Sequence, residues 1–166
     1  MFKHLATISI IGALIAAPLA DAQARCLNAR ERNAVNVRIV QTELMVAALS
    51  CRAVPDRDFT NQYNAFVRKH GSGLVGNARI LQAYFKARYG SEGQRQLDAF
   101  ITELANDTSR RSMNSPTFCN ESVDLFQEAM GIDRRELEAW STRRTAKHVI
   151  AIESCEAELQ GGAASR

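Results

Sequence analysis

Residues 28–50 constrain the fold more than any other part of this chain. Val35, Ile39, Val46 and Leu49, with Val37, Val40, Leu44, Met45 and Ala48 beside them, form a wide apolar stripe. That width predicts one long helix buried on most of its circumference, which needs neighbours on several sides. Cys26 and Cys51 bracket the segment. An unbroken helix would hold them about 35 Å apart at 1.5 Å per residue. A disulfide needs Cα atoms within about 7 Å. Pairing 26–51 is therefore excluded, and pairing 119–155 with it. Two arrangements remain for Cys26, Cys51, Cys119 and Cys155: 51–119 with 26–155, or 26–119 with 51–155. The first is favoured, because it joins the end of the first long helix to the first turn of the fifth and ties the chain ends together. On the chain-entropy account, each long loop so closed is worth up to about 4–5 kcal/mol.

An oxidising compartment is expected from the start of the chain. Met1-Phe2-Lys3-His4 is a short positive region, Leu5 to Leu19 is uncharged and apolar, and Ala20-Asp21-Ala22-Gln23-Ala24 supplies small residues for cleavage after Ala24. The apolar run is shorter than the roughly 20 residues that span a bilayer. Arg25 precedes Cys26, which argues against a lipoprotein leader. Residues 1–24 are thus expected to be a cleaved signal peptide, 25–156 a single helical domain and 157–166 a flexible tail. The protein is expected to be periplasmic or secreted, with no transmembrane segment in the mature chain. Removing the leader takes away Lys3 and Asp21 together, so the net charge stays at +3. That balance does not suit a nucleic-acid binder, which concentrates positive charge in a stripe.

The rest of the pattern is helical almost throughout. Phe59, Tyr63, Phe66 and Val67 recur at helical spacing after Asp56 or Asp58, either of which can cap, and Gly71-Ser72-Gly73 is expected to stop that helix. Leu74, Ala78, Leu81, Phe85 and Tyr89 predict another, ended by Gly90 in a left-handed cap. Residues 94–113 predict a fourth. Ser115-Pro116 reads as a cap with proline at the first helical position, opening a fifth through Phe118, Leu125, Phe126 and Ala129 to Gly131. Asp133 and Glu136 have capping-box spacing before a last helix through Leu137, Trp140, Val149 and Ile152. The expected fold is all-α, a compact bundle of five or six helices stapled by two disulfides.

Chemistry is sparse. The cysteines match no C-x-x-C redox motif, haem attachment or zinc spacing, so all four are expected to be structural. No catalytic residues, metal or cofactor are assigned. His70 is expected to cap a helix end, where a cation suits the dipole, and His148 to be solvated. Gly71-Ser72-Gly73 lacks the strand before it and the Lys-Ser/Thr after it that a phosphate loop needs. Among carboxylates, Glu43 stands out on so apolar a helix, where withdrawal from water favours the acid form. Its plainer role is on a narrow polar edge, paired with an arginine. Glu103 and Asp107, at i, i+4, resemble carboxylates found in any helical protein. Arg110-Arg111 near a helix end needs no role beyond the dipole.

Trp140, Arg143, Arg144 and Lys147, at i, i+3, i+4 and i+7, would set one ring among three cations. That face is the candidate for an anionic surface or an envelope protein, against the plainer role of a half-buried Trp beside a solvated basic edge. The stretch Gln41-Thr42-Glu43-Leu44-Met45-Val46-Ala47-Ala48-Leu49-Ser50-Cys51, followed by Tyr63-Asn64-Ala65-Phe66, resembles small exported helical proteins of proteobacteria. The resemblance covers about half of the mature chain, implies a periplasmic setting and carries no activity. A non-enzymatic binding or envelope-interaction protein is the expected function. The alternative is a small cell-wall-acting enzyme with Glu43 as its acid.

Overall fold

A computed structural model describes residues 26–145. The leader, Lys147, His148, Val149, Ile152, Cys155 and the tail lie outside the described residues. Among the described residues, four helices of fourteen residues or more carry the fold: α1 (Ala29–Ser50), α2 (Phe59–Tyr89), α3 (Gly93–Asn114) and α4 (Phe118–Gly131). The nine-residue α5 (Leu137–Thr145) follows a 3-10 turn at Arg134–Glu136. The expectation of five or six bundle helices is corrected to these four long ones.

The correction lies mainly at Gly71-Ser72-Gly73, which does not stop a helix. α2 runs through it for 31 residues. An interior glycine costs about 1 kcal/mol relative to alanine. Phe66, His70 and Leu74 are buried on either side of the glycines, and a buried Phe or Leu is worth about 1.5–3 kcal/mol. Packing therefore outweighs propensity. Gly73 also lets α2 approach the start of α5, since a Cβ there would lie 3.1 Å from Leu137 Cδ2.

α1 is the spine, packed against α2, α3, α4 and α5. Its width of burial is as expected: Val35, Val37, Ile39, Val40, Leu44, Val46, Ala47 and Ala48 are all buried. Leu49 is not, with 59% of its surface exposed beyond the last packed turn. Two apolar clusters share this spine. One gathers Val37, Val40 and Leu44 with Phe59, Phe66, Phe118, Phe126 and Trp140; the other sets Val35 and Ile39 against Leu81, Tyr84, Phe85 and Leu97.

Local signals place most boundaries. Asn28 and Glu31 close a capping box at the start of α1. Asp58, not Asp56, caps α2 by accepting from the Asn61 N–H at 2.9 Å. Gly90 ends α2 with φ 57° and ψ −123°, a positive φ that glycine adopts without strain but not the left-handed helical conformation expected. Ser115 serves as the C-cap of α3, so residues 116–117 form a turn and α4 begins only at Phe118. Asp133 and Glu136 form the expected capping box.

Within the described residues there is one disulfide, not two. Cys51, the C-cap of α1, is bonded to Cys119 in the first turn of α4, with Cα atoms 5.4 Å apart. This is the favoured pairing of the two left open. The other expected bridge needs Cys155, outside the described residues.

Candidate functional site

Glu43 leads to the site. It sits two turns from the end of α1, 7% exposed, and its Oε1 accepts from the Arg111 guanidinium in the last turn of α3. The plainer expectation for Glu43, pairing with an arginine, describes it. Arg111 was given no role beyond the helix dipole, and that is corrected. Besides binding Glu43, it lies over the Phe118 ring with its guanidinium carbon 5.8 Å from the centroid. Arg110 points away and pairs with Asp107 on the exposed face of α3.

These residues head a cleft of about 190 Å³, lined by Glu43, Arg111, Phe118, Glu121, Ser122, Leu125 and Arg144. α4 supplies the apolar floor, Phe118 and Leu125, and the exposed rim carboxylate Glu121, which accepts from Thr117 Oγ1 at 2.7 Å. Through Glu121 and Arg144 the cleft continues onto a shallower shelf with Asp124, Gln127 and Glu128. Along the two, among the described residues, four carboxylates face two guanidiniums. The net sign is opposite to that of the whole chain, at +3.

The Trp140 face is arranged differently from the expected aromatic–basic stripe. Trp140 is 5% exposed and packed in the core, and its Nε1 donates to Glu128 Oε2 at 3.1 Å. Arg144 turns to the same carboxylate, with Nη1 3.6 Å from Glu128 Oε1. Arg143 is exposed, and Lys147 lies outside the described residues. Helical spacing aligned Trp140 with Arg144, and the acidic neighbour that claims both comes from α4. The ring is thus not open to an outside surface beside Arg143.

Hydrolytic chemistry finds no constellation in the cleft. Ser122 is 3% exposed and donates to the Phe118 carbonyl at 2.8 Å. A serine nucleophile needs an adjacent base, and no histidine among the described residues lines the cleft. His70 is not at a helix end as expected, because α2 continues past it; it is 1% exposed and sits at Ala129, seven residues and about 10 Å further along α4 than Ser122. Glu103 is exposed on α3. Among the described residues, no group of three His, Cys, Asp or Glu side chains could hold a metal ion, and no helix is long and apolar enough to cross a membrane.

No protein-family model, curated protein or solved structure matches this chain. The cleft therefore stands on its geometry. Of its residues, sequence reasoning singled out Glu43 and Arg144 alone for a possible role. Arg111 is 68 positions from Glu43, and no local spacing could have joined them.

Proposed function

We propose that this is a non-enzymatic binding protein of the exported compartment, periplasmic or secreted. Its cleft between α1, α3, α4 and α5 receives a segment of an envelope protein that presents a basic side chain beside an apolar one. One observation carries this reading: along the cleft with its Phe118–Leu125 floor and the shelf beside it, the described lining has four carboxylates to two guanidiniums. Complementary charge steers such an encounter and suppresses wrong partners. Asp124 and Glu121 are the exposed groups that meet the basic side chain, while Glu43 and Arg111 hold the wall behind it.

The enzymatic alternative uses Glu43 as a general acid on cell-wall material. Its burial favours that idea, but its carboxylate is engaged by Arg111. The exported setting rests on the leader, and with it we propose that Cys26 and Cys155 close a second bridge. No cysteine among the described residues is free.

Fluorescence anisotropy with a labelled Lys/Leu amphipathic peptide and its Glu/Leu counterpart tests the binding reading. The Lys/Leu peptide is expected to bind the mature protein at least ten-fold more tightly. Glu121→Lys with Asp124→Lys should abolish that preference, while Glu138→Lys, an exposed reversal on α5, should leave it. Equal affinity for both peptides would overturn the basic partner. Tighter binding of the Glu/Leu peptide or of anionic vesicles, lost on Arg143→Ala, would move the site to the basic edge. Digestion of purified peptidoglycan that Glu43→Gln abolishes would establish the enzyme instead.

A further inference from the structure

His70 is a buried titratable group that the cleft does not use, and its surroundings are one-sided. It lies mid-helix in α2, 1% exposed, with its ring 5.0 Å from that of Phe66. Its Nε2 is 3.2 Å from the Ala129 carbonyl in the last turn of α4. A carbonyl only accepts, so Nε2 carries the proton. Nδ1 is buried and has no hydrogen-bond partner among the described residues. A second proton would therefore create a buried N–H with no described group to receive it, which disfavours the charged ring.

The neighbouring lysine holds the same end of α4, since Lys69 Nζ donates to the Met130 carbonyl at 2.5 Å. At its other end α4 is bonded covalently to α1 through Cys51–Cys119. One end of this helix is thus fixed by a bond and the other by a neutral imidazole and an ammonium.

We propose that His70 is an acid-sensitive latch that holds the last turn of α4 and the α4–α5 corner against α2. On protonation the corner loosens while the disulfide keeps the first turn of α4 in place. The charged groups facing the ring are Lys69 on its own helix and Arg134 and Asp133 in the 3-10 turn beyond α4. Lys69 and Arg134 oppose protonation and Asp133 favours it, but desolvation dominates and holds the imidazole below the usual histidine range. The sign follows. The folded state prefers the neutral ring, so the latch is fully closed above the ordinary histidine value of about 6.5. Stability is lost as pH falls below that value, because the open chain takes up the proton first. What the latch does for binding rests on the cleft reading above, since α4 floors the cleft; the latch itself does not.

Trp140 is the chain's one tryptophan and bridges α5 to Glu128 of α4, which makes it a reporter of the corner. In the mature protein with its disulfides intact, Trp140 emission should shift to the red as pH falls below about 6.5, while far-ultraviolet circular dichroism stays helical. His70→Gln, whose amide can still donate to Ala129, should lose the transition. Glu128→Gln should keep it. A flat wild-type profile, or a His70→Gln profile like the wild type, overturns the latch. Should His70→Gln fail to fold, the ring carbon resonances of His70 in the wild type decide. A midpoint at or above about 6.5 refutes the proposal, and one below it supports it. Peptide affinity measured across the same pH range separates the two readings. A Trp140 transition with unchanged peptide binding keeps the latch and removes its link to the cleft.

Discussion

Removing the Cys51–Cys119 bridge tests how this bundle is held together. The bridge closes a loop with a sequence separation of 68 and joins α1, which touches every other helix, to the helix that floors the cleft. On the chain-entropy account, closing about 68 residues removes roughly 15 cal/mol/K from the unfolded ensemble, or about 4.4 kcal/mol at 25 °C. Cys51 is also 1% exposed within the larger apolar cluster, so truncating it to alanine adds about 1 kcal/mol of lost burial. Together these come to about 5 kcal/mol. For a chain of this size each kcal/mol moves the melting temperature by about 2–4 °C. Cys51→Ala with Cys119→Ala should therefore melt roughly 10–20 °C below the wild type, by calorimetry at pH 7.5. The double variant is preferable to reductant, which acts on every disulfide in the chain. A loss under about 1 kcal/mol would mean the unfolded chain gains nothing from release. Peptide mapping that finds 26–119 and 51–155 would refute the arrangement outright.

Three smaller tests follow from the same geometry. Gly71 has open space where a Cβ would stand, so Gly71→Ala should stabilise a continuous α2 by about 0.5–1 kcal/mol; a destabilised variant would mean the helix does break there. Gly93 is the opposite case: a Cβ would come within 2.7–2.8 Å of Lys86 and Phe85 backbone atoms, so Gly93→Ala should cost about 1–3 kcal/mol in thermal or urea unfolding, and a neutral result would contradict the close approach of α2 and α3. Arg111→Ala should cost about 1–2 kcal/mol, between the values for surface and buried pairs, whereas the adjacent Arg110→Ala should cost less than about 0.5; equal effects would deny the Glu43–Arg111–Phe118 contact.

Much of this architecture was legible in local chemistry. The span of α1 followed from its apolar width, and that span alone excluded one cysteine pairing. The capping box at Asp133–Glu136 marks a helix start by the spacing of an acceptor and a carboxylate three residues on, and Asn28–Glu31, which the sequence reading did not single out, has the same spacing. Such signals are readable because their partners lie within one turn. Gly71-Ser72-Gly73 shows where that logic fails. Local propensity argued for a stop, and burial of Phe66, His70 and Leu74, contributed by the rest of the bundle, overrode it.

Local patterning was enough for the helical class, the long central helix, most boundaries and a carboxylate worth watching at position 43. That Glu43 meets Arg111, that Trp140 and Arg144 both turn to Glu128, and that His70 is enclosed beside the end of α4 follow from the packed fold alone. Helix formation depends on groups three or four positions apart along the chain. The cleft and the latch depend on which faces of separate helices come together, and that is set by packing the whole core.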